Sequence, residues 1–114
     1  MTTKAKIKLH EYLAYGGFGT VEEEALAWTS IGRKWRADFY LPQQEPPVVI
    51  EYDGLMFGDA SHASVANILR DSEKSNQAQR LGMKFYRVNA KTIWSGDAFT
   101  FLDAVLVKVE DEAA

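Results

Sequence analysis

The stretch PPVVIEYDG, residues 46–54, decides the fold. Val48, Val49 and Ile50 are three β-branched residues in a row, which predicts a strand. The lack of a polar break predicts that this strand is central and covered on both faces. Glu51 and Asp53 end it two residues apart, and in a strand positions i and i+2 share a face. Two carboxylates side by side repel each other and raise one another's pKa unless a cation sits between them. Hydrophobic patterning has no use for that arrangement, whereas a divalent metal ion does.

Upstream, RKWRADFYLP (residues 33–42) alternates Trp35, Ala37 and Phe39 with Lys34, Arg36, Asp38 and Tyr40, and Pro42 stops it. This predicts a strand with one apolar face and Asp38 near its end, its side chain opposite Trp35, Ala37 and Phe39. If the two strands are antiparallel neighbours joined by the Pro42–Pro47 loop, Asp38 approaches Glu51 across the ladder. Three acids, Asp38, Glu51 and Asp53, then meet at one sheet corner. Hard oxygen donors in that number suit Mg2+, with Mn2+ as a substitute.

The flanking segments complete the order. Residues 4–15 predict a helix through Ala5, Leu9, Tyr12 and Leu13, ended by Gly16. In TVEEEALAWTS (residues 20–30), Thr20 and Glu23 have capping-box spacing, but Leu26 and Trp28 alternate, and a strand is expected. SHASVANILRDSEKSNQAQRLG (residues 61–82) predicts a helix capped by Ser61 and ended by Gly82, with Val65, Ile68 and Leu69 as its apolar contacts. On it Asp71, Lys74 and Ala78 form a separate stripe. MKFYRVNA (residues 83–90) predicts a strand. DAFTFLDAVLVKVE (residues 97–110) predicts an amphipathic helix through Ala98, Phe101, Leu102, Val105 and Val109. The order α-β-β-β-α-β-α predicts an α/β fold, an α+β mixed sheet with helices on its faces and a right-handed crossover.

Bulk properties bound the function. The 114 residues, 12.8 kDa, predict a single domain spanning 1–114, with a short acidic tail at 110–114. No run of 18 apolar residues and no charged-then-apolar start with a cleavage site occurs, so neither a membrane span nor a signal peptide is expected. Zero cysteines exclude disulfides, thiolate zinc sites and a cysteine nucleophile, and fit a reducing, cytoplasmic setting. The net charge of −3 argues mildly against a nucleic-acid partner, but six of the sixteen acids lie in residues 22–24 and 110–112. The remainder is mildly basic, with Arg33, Lys34 and Arg36 clustered around Trp35.

Taken singly, each acid fits a solvated strand end or turn, and each charge on the 61–82 helix fits a wet face. Taken as an ordered set, WRADFYLP, VVIEYDG, SH and RDSEKSNQAQRLGMKFYRV resemble the PD-(D/E)XK nuclease superfamily over roughly residues 33–90. The likeness is narrower to its branch of very-short-patch repair (Vsr-like) endonucleases and related small phage and bacterial nucleases. The resemblance implies a restriction-endonuclease-like core and a Mg2+-dependent DNA endonuclease. It implies Asp38 and Glu51 as metal ligands, with Glu51-Tyr52-Asp53-Gly54, His62 and Asp71-Ser72-Glu73-Lys74-Ser75-Asn76 matching the branch. A first-helix Glu also occurs in the family, and Glu11 is the candidate. Ala37 stands where the family has Pro, and Asp53 stands where its lysine would follow Glu51. An acid cannot supply positive charge, so the role passes to Lys74 or to His62.

The expected catalytic set is therefore Asp38, Glu51, Asp53, His62, Lys74 and Glu11, with Asp38, Glu51 and Asp53 on the metal. Arg33, Lys34, Arg36 and Arg70 are expected on flanking DNA phosphates. A chain this small is expected to act as a homodimer or with a partner protein that supplies DNA binding. The rival reading is a nuclease-fold module that has lost catalysis and serves in nucleic-acid binding or assembly; a third is a protein-interaction domain with decorative acids.

Overall fold

The structure is a computed structural model and describes residues 3–54 and 65–109. Its centre is the strand read from the valines, here β3 (Val48–Asp53). Val48, Val49 and Ile50 are buried on both faces. β2 (Ala37–Leu41) pairs with it antiparallel, Phe39 opposite Ile50 and Leu41 opposite Val48. β4 (Lys84–Asn89) pairs with it in parallel, from Val48 opposite Lys84 to Asp53 opposite Asn89. β1 (Glu22–Ala25) adds to the outside of β2, giving a mixed four-stranded sheet in the order β1-β2-β3-β4.

Helices cover both faces. On one side α1 (Lys4–Tyr15), α3 (Ala90–Ser95) and α4 (Asp97–Val105) bring Leu9, Leu13, Ile93 and Leu102 onto Phe39, Leu41, Ile50 and Val88. α1 starts where Thr3 accepts the Lys6 amide, and Ala5, Leu9 and Leu13 recur at helical spacing on its buried side. On the other side α2 (Val65–Arg80) and the fully buried Trp28 pack over Val49, Ala37 and Met83. The Trp28 indole donates to the Lys74 carbonyl at 3.1 Å and so fixes α2 against the sheet. Among the described residues no helix is long and apolar enough to cross a membrane.

Four sequence expectations change. Residues 33–36 are not strand; β2 begins at Ala37, so Asp38 lies at its start. Ala37 joins the Trp28 cluster while Phe39 joins the opposite one, so the strand's alternation breaks at Asp38. Val65, Ile68 and Leu69 are not core contacts but are 72%, 57% and 60% exposed. At roughly 3.6 residues per turn they fall opposite Lys74 and Ala78, the buried residues of α2. The last helix stops at Val105 and residues 106–109 leave it, the Val109 amide donating to the Gly17 carbonyl at 2.8 Å. α3, absent from the sequence reading, is started by a reciprocal capping box between Asn89 and Thr92 and ended by Gly96 at φ 90°. The expected Ser61 cap lies outside the described residues.

One buried side chain clamps the β2–β3 loop to the C-terminal segment. Gln44 donates to the Phe18 and Val107 carbonyls at 3.0 and 2.7 Å and accepts the Val107 amide at 2.9 Å. Gln44→Leu keeps the volume and leaves those backbone groups unpaired, each worth about 1–3 kcal/mol when buried. It should lower the unfolding free energy by roughly 2 kcal/mol or more in urea titration. A loss within experimental error would show that the clamp is dispensable.

Candidate active site

Register brings Asp38 and Glu51 together. Beyond Phe39 and Ile50, side chains take over from the β2–β3 ladder. The Asp38 amide donates to Glu51 Oε2 at 2.8 Å, and the Tyr52 amide donates to Asp38 Oδ2 at 2.8 Å. Each carboxylate thus satisfies a backbone donor of the opposite strand. This reciprocal exchange explains why the alternation of β2 breaks here.

The other oxygens face two lysines from opposite sides of the sheet. Lys74 Nζ, on α2, forms an ion pair with Glu51 Oε1 and donates to the Arg36 carbonyl at 2.9 Å. It also lies 5.1 Å from the centre of the Trp28 ring. Lys6 Nζ, on α1, is 3.4 Å from Asp38 Oδ1 and 3.7 Å from Glu24 Oε1. The repulsion that the sequence implies is therefore met by internal cations. Glu51 and Lys74 are each only 9% exposed, the two buried charges of the described residues. Burial pushes the Glu51 carboxyl above the ordinary carboxylate range, and the charge of Asp38 adds to this. Hydrogen bonds from Lys74 and the Asp38 amide, with the charge of Lys74, offset part of the rise.

The remaining expected residues are distributed around this corner. Asp53 pairs with Arg87 at 3.3 Å, and Arg87 also reaches Asp71 at 3.2 Å. These groups border a cavity of about 540 Å3 between α2 and the sheet, together with Ser75 and Phe85. Asp53 is thus directed to Arg87, and among the described residues no group of three or more His, Asp or Glu is placed to hold a metal ion. Two carboxylates nevertheless match the way Mg2+ is commonly held, by one or two acids with water and substrate phosphate completing the shell. Asp38 and Glu51 fit that donor set. Glu11 is exposed on α1, and the side chain this helix sends to the corner is Lys6. His62 lies outside the described residues.

The basic cluster adjoins the site. Arg33, Lys34 and Arg36 are exposed in the irregular segment before β2, whose Arg36 carbonyl receives Lys74. Arg33 stacks over Trp35 at 4.9 Å and pairs with Glu73 at 3.7 Å, while Arg36 donates to the Glu24 carbonyl at 3.1 Å. Arg70 is exposed and donates to Asn67. Sequence reasoning passed over Lys6, Trp28 and Arg87. Thr3 capping was the available signal for Lys6, because it places the first turn of α1; the packing of that turn beside Asp38 joins distant segments and leaves no trace in the local pattern. Comparison of the chain with protein-family models, with curated proteins and with solved structures finds no significant match.

Lys74→Met retains the aliphatic stem and removes the ammonium, leaving Glu51 buried without its cation. Removing one partner of a buried pair costs on the order of 3–5 kcal/mol. A carboxyl whose folded pKa exceeds its unfolded value binds more protons when folded. Its contribution to stability is greatest below the unfolded pKa and declines as pH rises through the folded one. The variant raises the Glu51 pKa further, so its deficit against wild type should be larger at about pH 8 than at about pH 5 in urea unfolding. Equal deficits would reduce Lys74 to a packing role.

Proposed function

We propose that the chain is a metal-dependent nuclease that hydrolyses DNA phosphodiester bonds, with Asp38, Glu51 and Lys74 as its core. The observation that carries this reading is the buried Lys74 ammonium on Glu51, beside Asp38, where the two inner strands of the sheet meet. A carboxylate pair with a lysine drawn in from the next helix is the arrangement that the PD-(D/E)XK resemblance calls for once Asp53 replaces the strand lysine. The order of one helix, three strands, a helix and a further parallel strand supports a restriction-endonuclease-like core.

Asp38 and Glu51 would hold Mg2+ or Mn2+, which when bound polarises the scissile phosphate and lowers the pKa of a water. Lys74, held by the Arg36 carbonyl and beside the Trp28 ring, would supply positive charge to the negative charge that grows on the phosphoryl oxygens. Arg33, Lys34 and Arg36 meet the phosphates that flank the scissile one, giving affinity without sequence preference. His62 takes the proton of the attacking water on this reading, by its place in the sequence. The rival reading, a silent nucleic-acid-binding or assembly module, draws on the same lysines, which neutralise both carboxylates without a metal.

Supercoiled plasmid incubated with the protein should be nicked or linearised with Mg2+ or Mn2+ and left intact with EDTA. Asp38→Asn and Glu51→Gln should each lower the rate by more than about 100-fold, the upper end of what outer-shell losses alone cost at metal sites. DNA binding without cleavage would favour the silent module, and neither binding nor cleavage would contradict both readings. If His62 is the base, activity should fall below about pH 6 to 7, and His62→Ala should flatten that acid limb. An unchanged profile in the variant would remove His62 from the mechanism.

A further inference from the structure

We propose that Lys6 is the exchangeable internal cation of this corner, a positioning residue that holds Asp38 in the metal-free protein and moves to Glu24 when a divalent cation binds. The inference rests on the metal-site reading above and deepens it.

Placement of Lys6 is built in by a chain of three hydrogen bonds. Thr3 accepts the Lys6 amide at 3.2 Å, and its hydroxyl donates to the Tyr52 hydroxyl at 3.0 Å. Tyr52 in turn donates its amide to Asp38. The first turn of α1 is thereby bolted to the end of β3 that carries the acids. From there the Lys6 ammonium has two acceptors, Asp38 at 3.4 Å and Glu24 at 3.7 Å.

Glu24 is held ready for it. Its backbone has φ 51°, a left-handed conformation uncommon for a residue other than glycine. It sits between two paired positions, Glu23 opposite Phe39 and Ala25 opposite Ala37, and Arg36 binds its carbonyl. The ladder thus keeps Glu24 in a strained conformation with its carboxylate beside Lys6.

The two lysines differ in their freedom to move. Lys74 is buried between Glu51, the Arg36 carbonyl and the Trp28 ring, and none of these is a second carboxylate. Lys6 is partly exposed and has Glu24, itself half exposed, as a ready alternative. Together Lys6 and Lys74 balance the charges of Asp38 and Glu51. A dication arriving on those acids brings two further positive charges, and the one ammonium with somewhere to go is Lys6.

Mn2+ binding to the full chain, measured by calorimetry without DNA, tests this. Wild type should bind Mn2+ and Asp38→Asn should not. Lys6→Met removes the competing cation and should bind roughly two- to fivefold tighter, the range expected for a partly exposed ion pair. Glu24→Gln removes the alternative acceptor, leaves Lys6 on Asp38 and should bind more weakly than wild type. A merely structural role for Lys6 would not move the two variants in opposite directions. Lys6→Met binding no tighter than wild type overturns the proposal. Should that variant fail to fold, Glu24→Gln binding Mn2+ as tightly as wild type overturns it alone. Wild type that binds no Mn2+, or binds it equally as Asp38→Asn, overturns the metal-site reading as well.

Discussion

The contact on which the rest depends is the ion pair between Lys74 and Glu51, closed over by Trp28. A strand carboxylate with little access to water needs a cation, and α2 must turn its lysine inward to supply one. That turns Val65, Ile68 and Leu69 outward, against their hydrophobicity. The same demand ends the regular part of β2. The Arg36 carbonyl is taken by Lys74 and the Asp38 amide by Glu51, so on the side facing β3 these backbone groups are bonded to side chains, while Ala37 still pairs with Ala25 of β1.

Stability alone gives little reason to keep such a pair. Desolvating two charges costs several kcal/mol per ion, and well-packed apolar residues of similar size often serve a core equally well. Here the expense is concentrated on an inner strand, next to a second carboxylate and an irregular segment rich in Arg and Lys. The hydrophobic layers above and below, Leu9, Leu13 and Ile50 on one side and Trp28, Val49 and Ala78 on the other, act as the rigid frame. Charge burial supported by that frame is the pattern expected where side chains must be held in place for chemistry.

Much of this was legible in the sequence where one local signal dominated. Val48 to Ile50 announced the central strand, and residues 4–15 gave α1 with its boundaries. Asp38, Glu51 and Lys74, which the fold brings together, were named from spacing and resemblance. What escaped was decided by pairing between segments. α3 depends on a capping box of two residues directly after a strand, too short for periodicity to register. The apolar stripe of α2 was assigned by hydrophobicity, whereas the direction of the helix is set by Glu51 beneath it. Asp53 is drawn to Arg87, a residue of β4 that lies in register with Glu51, and that register exists only once the parallel pair has formed. Lys6 reaches Asp38 because Thr3 ties the first turn of α1 to Tyr52 at the end of β3, a contact between distant segments that neither one encodes alone.

The central claim is that Asp38 and Glu51 form one cation site, with Lys74 beside it. The most direct measurement is the anomalous difference map of a crystal of the protein soaked in Mn2+. The account predicts a peak bonded to a carboxylate oxygen of Asp38 and to one of Glu51, with Lys74 still anchored by the Arg36 carbonyl and Lys6 turned to Glu24. A map with no peak between those carboxylates, or with Mn2+ bound only elsewhere in the molecule, would contradict it.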